Sequence, residues 1–351
     1  MKKVFCVTLT CVLLLGLASC GSKTPVSTPT DDTTTTTTGT TLPPDKLVNP
    51  LTGVLDLDKE DGNRPVAIMV PNDSQVRGYQ INLDKADFYM ECETEGAIPR
   101  IMAVFANASR IPEKFGPIRS ARSPFVTTAK ELGFVLTFSG ATSHVLKKIS
   151  NYKLDNLNAG RIGTAAFWRD SYLASHVTNY HNLLTGGEKI AAQLDKKGFS
   201  TTAIKDVPFV FGEKTGTAAA TTIQLNTTPS TVATFVYDSA TGLYGKNLGK
   251  ITSYKPHKTN EGNQLKTANV LVLYAPKFVE TTDRKYTWYD FEAGSGTAYL
   301  FSGGTYRKLT YTRSSESLSF TEEDGSNAIF AEGKIYMVLA DQKLESKQVI
   351  Q

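Results

Sequence analysis

The chain has 351 residues, of which 40% are hydrophobic, 21% charged and 10% aromatic. This composition excludes a fully disordered protein, a collagen-like repeat and a small disulfide-rich domain. The formal net charge is only +4 at pH 7, and the length predicts about two domains.

The N-terminus carries an export signal. Two lysines precede an apolar run that is shorter than the about 20 residues a membrane-spanning helix needs. The run ends in Leu17-Ala18-Ser19-Cys20, which resembles the lipobox of bacterial lipoproteins. We therefore predict a signal peptide over residues 1–19 and lipidation of Cys20, which would anchor the protein on the extracytoplasmic face of the cell membrane. An ordinary secretory signal is the alternative.

Residues 20–47 are predicted to be the lipidated cysteine and a flexible tether. Eleven of the 27 residues from 21 to 47 are threonine, so this segment cannot bury enough apolar surface to offset its ordering entropy. Cleavage before Cys20 would remove two lysines and no acid, so the net charge would fall from +4 to +2. A charge this small does not favour a nucleic-acid partner.

Residues 48–220 are predicted to form an α/β region. Apolar runs at 65–70 and 101–105 indicate buried strands. Between them, strict alternation over 86–94 predicts a half-buried strand with Cys92 in the core and its glutamates on a solvated face. Strands interleaved with helices are typical of an α/β or α+β fold.

Three helices are predicted in the same region. Ser123 is expected to cap the first, which ends at Gly133. The second is a short helix through Leu146 and Ile149. The third is expected to begin at Thr185 with a capping box.

Residues 221–351 are predicted to be β-rich. Hairpins are expected around Thr241-Gly242 and Gly303-Gly304, with buried strands at 270–274 and 335–339. The predicted fold is therefore α+β or α/β, a mixed-sheet N-terminal domain with helices followed by a β-rich C-terminal domain.

Several short phrases occur together along the chain. They are Asn49-Pro50-Leu51-Thr52-Gly53, Arg64-Pro65-Val66-Ala67-Ile68-Met69-Val70, Gly116-Pro117-Ile118-Arg119-Ser120-Ala121-Arg122, Phe167-Trp168-Arg169-Asp170, His181-Asn182-Leu183 and Gly294-Ser295-Gly296. This set resembles the YerB-like lipoprotein family of Gram-positive bacteria over residues 48 to 345. The resemblance implies a two-part domain of unknown function and no established activity. Lys246 stands where the family pattern has an arginine.

An anion site is predicted just before the first helix. Two arginines and a serine come immediately before Ser123, so the amide groups and the positive dipole end of that helix would face a ligand there. Guanidinium groups suit carboxylate and phosphate, and residues 100–130 hold six Lys or Arg against one acid. The predicted ligand-binding residues are Arg119, Ser120, Arg122, Arg169, Arg100 and His181.

An internal ion-pair network is the alternative interpretation of the same residues. Residues 84–95 hold five acids against one lysine, and a hairpin about Gly96 would bring the arginine of its second strand opposite the acids of the first. The expected pairs are Arg100 with Glu91 or Glu93, and Arg119 and Arg122 with Glu91, Glu95 or Asp87.

A hydrolase is a second functional hypothesis. Carboxylates two residues apart on one strand face are about 7 Å apart, within the range of glycosidase acid–base pairs, and a histidine could act as a general base. A solvated strand face explains the carboxylates more simply, and a hydrogen-bonded loop histidine is favoured for His181 because the sequence identifies no nucleophile or acid as its catalytic partner. The weak catalytic candidates are Glu91, Glu95 and His181.

The sequence predicts a membrane-anchored extracytoplasmic lipoprotein that binds an acidic envelope ligand or an envelope protein. Its expected partners are the membrane, an anionic cell-wall polymer, a small anion or an envelope protein. No nucleic acid, metal or cofactor is expected, since the histidine spacing fits no metal motif. An envelope hydrolase acting on glycan or peptide cross-links is the alternative, and a purely structural partner protein is a third hypothesis.

Overall fold

A computed structural model describes residues 45–178, 180–281, 285–289, 294–313 and 316–351. The predicted signal peptide, Cys20 and most of the predicted tether lie outside these residues. The described residues belong to one compact unit. The predicted fold class is confirmed, because a mixed sheet with helices in the N-terminal region is followed by a β-rich C-terminal region. Within the described ranges, no helix has the length and apolarity to cross a membrane.

The central sheet has eleven strands, five from residues before 160 and six from residues after 217. Its order from edge to edge is Ala218–Ala219, Thr305–Arg313, Gly294–Ser302, Asn269–Ala275, Ile335–Asp341, Phe88–Glu93, Pro99–Phe105, Val66–Pro71, Val135–Phe138 and Asn156–Asn158, with Leu318–Thr321 added beside Thr305–Arg313.

The two regions of the chain meet at the centre of this sheet. The strand Ile335–Asp341 pairs in parallel with Phe88–Glu93, from Ile335 opposite Phe88 to Leu339 opposite Cys92. Both strands are buried on both faces, as is usual for strands in the middle of a covered sheet. The sheet therefore continues without a break across the predicted boundary at residue 220, which itself stays a prediction.

Each face of the central sheet packs on a different layer. Two helices, α1 (Ser123–Glu131) and α2 (Ser143–Asn151), contribute to the core on one face. The other face packs on α5 (Gly187–Lys197) and on a second sheet. The order of that second sheet is Ser253–Pro256, Leu243–Lys250, Val232–Asp238, Thr222–Asn226 and Val349–Ile350, with Lys266–Thr267 beside Leu243–Lys250.

The remaining elements are short. Two small helices, α3 (Ala159–Ile162) and α4 (Ser171–His176), lie between α2 and α5. The short strand pairs are Lys46–Val48 with Leu55–Asp58, Trp168–Arg169 with Leu183–Leu184, Val210–Phe211 with Ile329–Phe330, and Lys277–Thr281 with Lys285–Tyr289. The 3-10 turns are Lys59–Asp61, Arg77–Tyr79, Leu83–Lys85, Glu95–Ala97, Ala108–Arg110, Gly163–Ala165 and Gln342–Lys347.

Most predicted elements are confirmed, but three local predictions are wrong. The strand Phe88–Glu93 is fully buried, not half-buried, because the second sheet covers its polar face. Ser123 is the first residue of α1 and not its cap; its hydroxyl accepts a hydrogen bond from Lys148 at 2.9 Å. The third predicted helix begins at Gly187, since Thr185 pairs with Phe115 and directs its hydroxyl to a backbone carbonyl.

Candidate functional site

The predicted anion site lies at one edge of the central sheet. The strands Val66–Pro71 and Val135–Phe138 are parallel and end there with their carboxyl ends. Arg100 is the second residue of the neighbouring antiparallel strand and lies directly opposite Pro71. In sheets of this kind, ligands bind outside the carboxyl ends of the parallel strands.

Backbone hydrogen bonds fix the segment that carries Arg119 across this edge. The Arg119 amide donates to the Met69 carbonyl at 2.8 Å, and the Arg119 carbonyl accepts from the Ser139 amide at 3.0 Å. The Ala121 amide donates to the Gly140 carbonyl at 3.0 Å. The amides of Arg119 and Ala121 are therefore used by the fold and are not available to an anion.

A close backbone approach brings a second segment to the site. The Ile118 amide donates to the Leu183 carbonyl at 2.8 Å. A Cβ atom on Gly116 would lie 3.0 Å from that same carbonyl and 2.8 Å from the Leu184 side chain, so only glycine fits there. This contact places the residues just before Leu183, including His181, beside the arginine segment.

Three arginines gather at this edge. Arg100 is only 6% exposed and donates from Nη1 to the Ser120 carbonyl at 3.0 Å. Arg122 donates from Nε to a Glu95 oxygen and from Nη1 to the Ala121 carbonyl at 2.7 Å. Arg119 lies 5.9 Å from the centre of the Tyr180 ring, a cation–π contact.

Buried donors in this group lack partners. The Nε atoms of Arg100 and Arg119 have no hydrogen-bond partner among the described residues. Both ring nitrogens of His181, which is 6% exposed, are also without a hydrogen-bond partner there, although the Asp73 carboxylate lies 3.3 Å from its Nε2. Such unpaired donors are rare in native proteins, because desolvation costs about 1–3 kcal/mol each.

We call this set the arginine cluster. Its members are Arg100, Arg119, Arg122, His181, Asp73 and Glu95. Burial and repulsion by Arg122 and Arg119 lower the pKa of Arg100 to about 9, and burial likewise lowers the pKa of Arg119. Burial, opposed by Asp73, also lowers the pKa of His181. Three arginines face two carboxylates, so the cluster keeps an excess of positive charge.

The structure sorts the ion pairs expected from the sequence. The pair between Arg122 and Glu95 is confirmed. The pairing of Arg100 with Glu91 or Glu93 is wrong, because the antiparallel register places Arg100 opposite Cys92. Asp87 pairs with Arg110 at 2.6 Å and not with Arg119 or Arg122.

Two further predicted residues lie at the margin of the arginine cluster. Ser120 contributes the carbonyl that Arg100 binds. Arg169 is on the Trp168–Arg169 strand, where its Nη1 donates to the side chain of Asn182. Asp170 caps α4 through the Leu173 amide at 2.9 Å. Arg169 therefore supports the loop that carries His181.

Glu91 belongs to a separate polar group inside the protein, which we call the Glu91 network. Its carboxylate accepts hydrogen bonds from Lys246 at 2.8 Å, from Asn72 at 3.1 Å and from Tyr336. His257 continues the network from Lys246 to Gln80, with its Nε2 2.8 Å from the Gln80 oxygen.

The Glu91 network is closed to solvent. Glu91 and Lys246 are each 1% exposed. Burial raises the pKa of Glu91, but Lys246 and Tyr336 outweigh this and hold it below its usual value. The prediction of a solvated acidic face is therefore wrong, and Glu91 is not available to a substrate as an acid–base group. Glu93 is buried too and pairs with Lys277 at 2.9 Å.

Two family models match the chain. One is the N-terminal domain of a protein of unknown function (DUF3048), over residues 51–200, and the other is its C-terminal domain, over residues 222–337. The chain belongs to this family. The predicted resemblance is thereby confirmed, and the family carries no stated activity.

Relatives from one organism are similar to this chain. The protein named "Putative lipoprotein YerB" from Bacillus subtilis (strain 168) is 32% identical over 199 residues, which cover 57% of this chain and 54% of that protein. The chain thus spans about half the length of this curated relative. The crystal structure of YerB from Bacillus subtilis matches with a TM-score of 0.74 and 24% identity, covering 87% of this chain and 100% of that one.

The segment Gly116–Arg122, which was among the phrases that suggested the family resemblance, crosses the sheet edge. Lys246, where the resemblance implied an arginine, is the cation of the Glu91 network. No local pattern in the sequence predicts Asp73 as a neighbour of Arg119. For Tyr180, the available signal is its position as an aromatic residue directly before His181.

A groove lies away from the arginine cluster. Its volume is about 960 Å³, and Asp61, Arg64, Trp168 and the first turn of α5 contribute to its walls. None of the predicted site residues lines it. The arginine there is already bound, from Nε to the Gly133 carbonyl at 2.7 Å and from Nη2 to Asp155 at 2.8 Å. In the described part of the chain, no group of three or more His, Cys, Asp or Glu residues is arranged to hold a metal ion.

Proposed function

We propose that this protein is a lipid-anchored binding protein of the cell envelope that recognises an anionic group through its arginine cluster. The observation that carries the proposal is the set of unpaired donors on Arg100, Arg119 and His181. An anion with several oxygens would satisfy them and would relieve the repulsion among the arginines.

The anchor and its location rest on the sequence. Residues 1–19 would be cleaved off and Cys20 would be lipidated. The threonine-rich tether would then keep the folded unit close to the membrane on the extracytoplasmic side. An anionic wall polymer, a small anion or an acidic surface of an envelope protein would then be within reach.

Sulfate titration of the purified protein tests the proposal. At constant ionic strength, sulfate at about ten times its dissociation constant should raise the melting temperature by roughly 2–4 °C relative to chloride. The variant Arg119→Gln should lose this response because it removes an unpaired donor. The variant Arg161→Gln, which changes an exposed arginine of α3, should keep it. A wild-type protein that responds equally to sulfate and chloride would overturn the proposal.

A further inference from the structure

An exposed aromatic side chain lies beside the arginine cluster. Tyr180, which contacts Arg119, is 72% exposed. A separate aromatic group lies on the neighbouring segments: the Tyr172 and His176 rings are 4.3 Å apart, and His176 is 5.7 Å from Tyr79. The exposed Tyr180 ring offers a flat apolar face, with a polar hydroxyl at its end, next to the cationic site.

The aromatic residues and the arginine cluster share the same two supporting segments. The loop after the strand Val66–Pro71 provides Asp73 to the cluster and Tyr79 to the aromatic group. The segment from α4 to His181 provides Tyr172, His176 and Tyr180. Leu173, Ile81 and Leu184 form a small apolar cluster beneath α4, with Tyr79 packed against it. This packing connects the loop that carries Asp73 and Tyr79 to the segment that carries Tyr180 and His181.

Carboxylates within the arginine cluster restrict the ligand further. The Asp73 and Glu95 carboxylates lie among the arginines, and carboxylate oxygens only accept hydrogen bonds. They would weaken the binding of a bare anion without preventing it, and they would accept hydrogen bonds from hydroxyl groups. A ligand that fits all three features carries an anionic group, several hydroxyl groups and a flat C–H face for the Tyr180 ring.

A sugar ring with a negative substituent has this chemistry. We propose that the ligand of the site is an anionic saccharide unit, with its phosphate or carboxylate on Arg100 and Arg119 and its ring against Tyr180. The proposal rests on the anion-binding function above and adds the class of molecule that carries the anion.

Isothermal titration at pH 7.5 with matched small probes tests it. Glucose 6-phosphate and glucuronate present a sugar with a phosphate or a carboxylate; inorganic phosphate and acetate present the same charges without a sugar. We expect glucose 6-phosphate or glucuronate, which we together call the sugar acids, to bind at least tenfold more tightly than its sugar-free counterpart. The better of the two identifies the substituent. Methyl glucoside, which has no charge, should not bind measurably.

Tyrosine variants separate ring recognition from anion binding. Tyr180→Ala should reduce the affinity for the sugar acid at least fivefold and leave the affinity for the sugar-free anion unchanged. Tyr254→Ala is the matched control, because Tyr254 is 43% exposed on the second sheet, and it should have no effect.

The outcomes distinguish the two proposals. Equal affinity for the sugar acids and their sugar-free counterparts would overturn the saccharide proposal and leave anion binding intact. Tighter binding of uridine 5′-monophosphate than of either sugar acid would also overturn it, since the Tyr180 ring would then recognise a base. A protein that binds none of these anions would overturn both proposals.

Discussion

In the Glu91 network, three side chains donate to one carboxylate, whereas in the arginine cluster the guanidinium groups of Arg100 and Arg119 each keep a buried Nε that finds no partner within the described ranges of the chain. Both groups contain buried charge in the same fold. They differ in whether the protein itself supplies all the hydrogen-bond partners.

This difference separates a structural group from the group that we propose binds a ligand. A buried charge is tolerated when a partner and further hydrogen bonds compensate its desolvation, as around Glu91 and Lys246. The arginine cluster lacks that compensation and gathers like charges, so it lowers the stability of the unliganded protein. Such a local conflict is typical of a functional site, where a ligand completes the set of partners.

Substitution of Lys246 tests most directly whether the Glu91 network is compensated and the arginine cluster is not. Lys246→Met leaves the Glu91 carboxylate buried without its cation and should lower the free energy of unfolding by about 3–5 kcal/mol. The double variant Glu91→Gln/Lys246→Met removes both charges and should recover more than half of that loss. Urea denaturation measures both effects.

A surface ion pair provides the control for this experiment. Lys46→Met removes the exposed partner of Asp58 and should leave the denaturation midpoint unchanged, since exposed pairs contribute little. A Lys246→Met protein as stable as the wild type would show that the Glu91 network is not compensated in the way described.

In the arginine cluster, removal of a charged side chain should increase the affinity for an anion. Glu95→Gln removes a carboxylate that competes with the ligand for Arg122, so sulfate affinity should rise roughly fivefold, or by about 1 kcal/mol. Glu188→Gln, on the exposed side of α5, should leave the affinity unchanged. Calorimetric titration compares the two. Weaker binding by Glu95→Gln would mean that Glu95 holds Arg122 in its binding position.

The smallest expected effect concerns pH. Burial and the neighbouring Arg119 and Arg100, opposed by Asp73, hold the pKa of His181 below its usual value of about 6.5. His181 is therefore neutral at pH 7 and gains a positive charge as the pH falls. Sulfate stays a dianion from pH 7 to 5, so its affinity should rise by about two- to threefold over that range. His181→Gln should abolish the rise; an unchanged slope in this variant would exclude His181.

Many strands and turns could be predicted from the sequence, because apolar runs and turn residues within a short segment determine them. Apolar runs marked the strands at Val66–Pro71 and Asn269–Ala275, and the hairpin at Gly303-Gly304 followed from its turn residues. The error at Phe88–Glu93 has a non-local cause. The alternation was present, but the groups that cover Glu91 come from Lys246 and Tyr336, more than 150 residues later.

The candidate site was predictable to a similar extent. Charge segregation indicated Arg119, Arg122 and Glu95, and the structure pairs Arg122 with Glu95. Two details depended on strand register and on segments that meet only in the fold: the position of Arg100 opposite Cys92, and the approach of Asp73 to His181. Periodicity within one segment contains no information about either.

The parallel pairing of Ile335–Asp341 with Phe88–Glu93 governs how the protein must fold. Tyr336 and Glu91, which are hydrogen-bonded across this seam, are 245 residues apart in the chain. Until Ile335–Asp341 pairs with it, Phe88–Glu93 presents an open sheet edge with unpaired amide and carbonyl groups, which favours aggregation. Contacts between such distant residues slow folding, because a long loop must close before they form. The centre of the sheet is therefore complete only after this long-range pairing has formed.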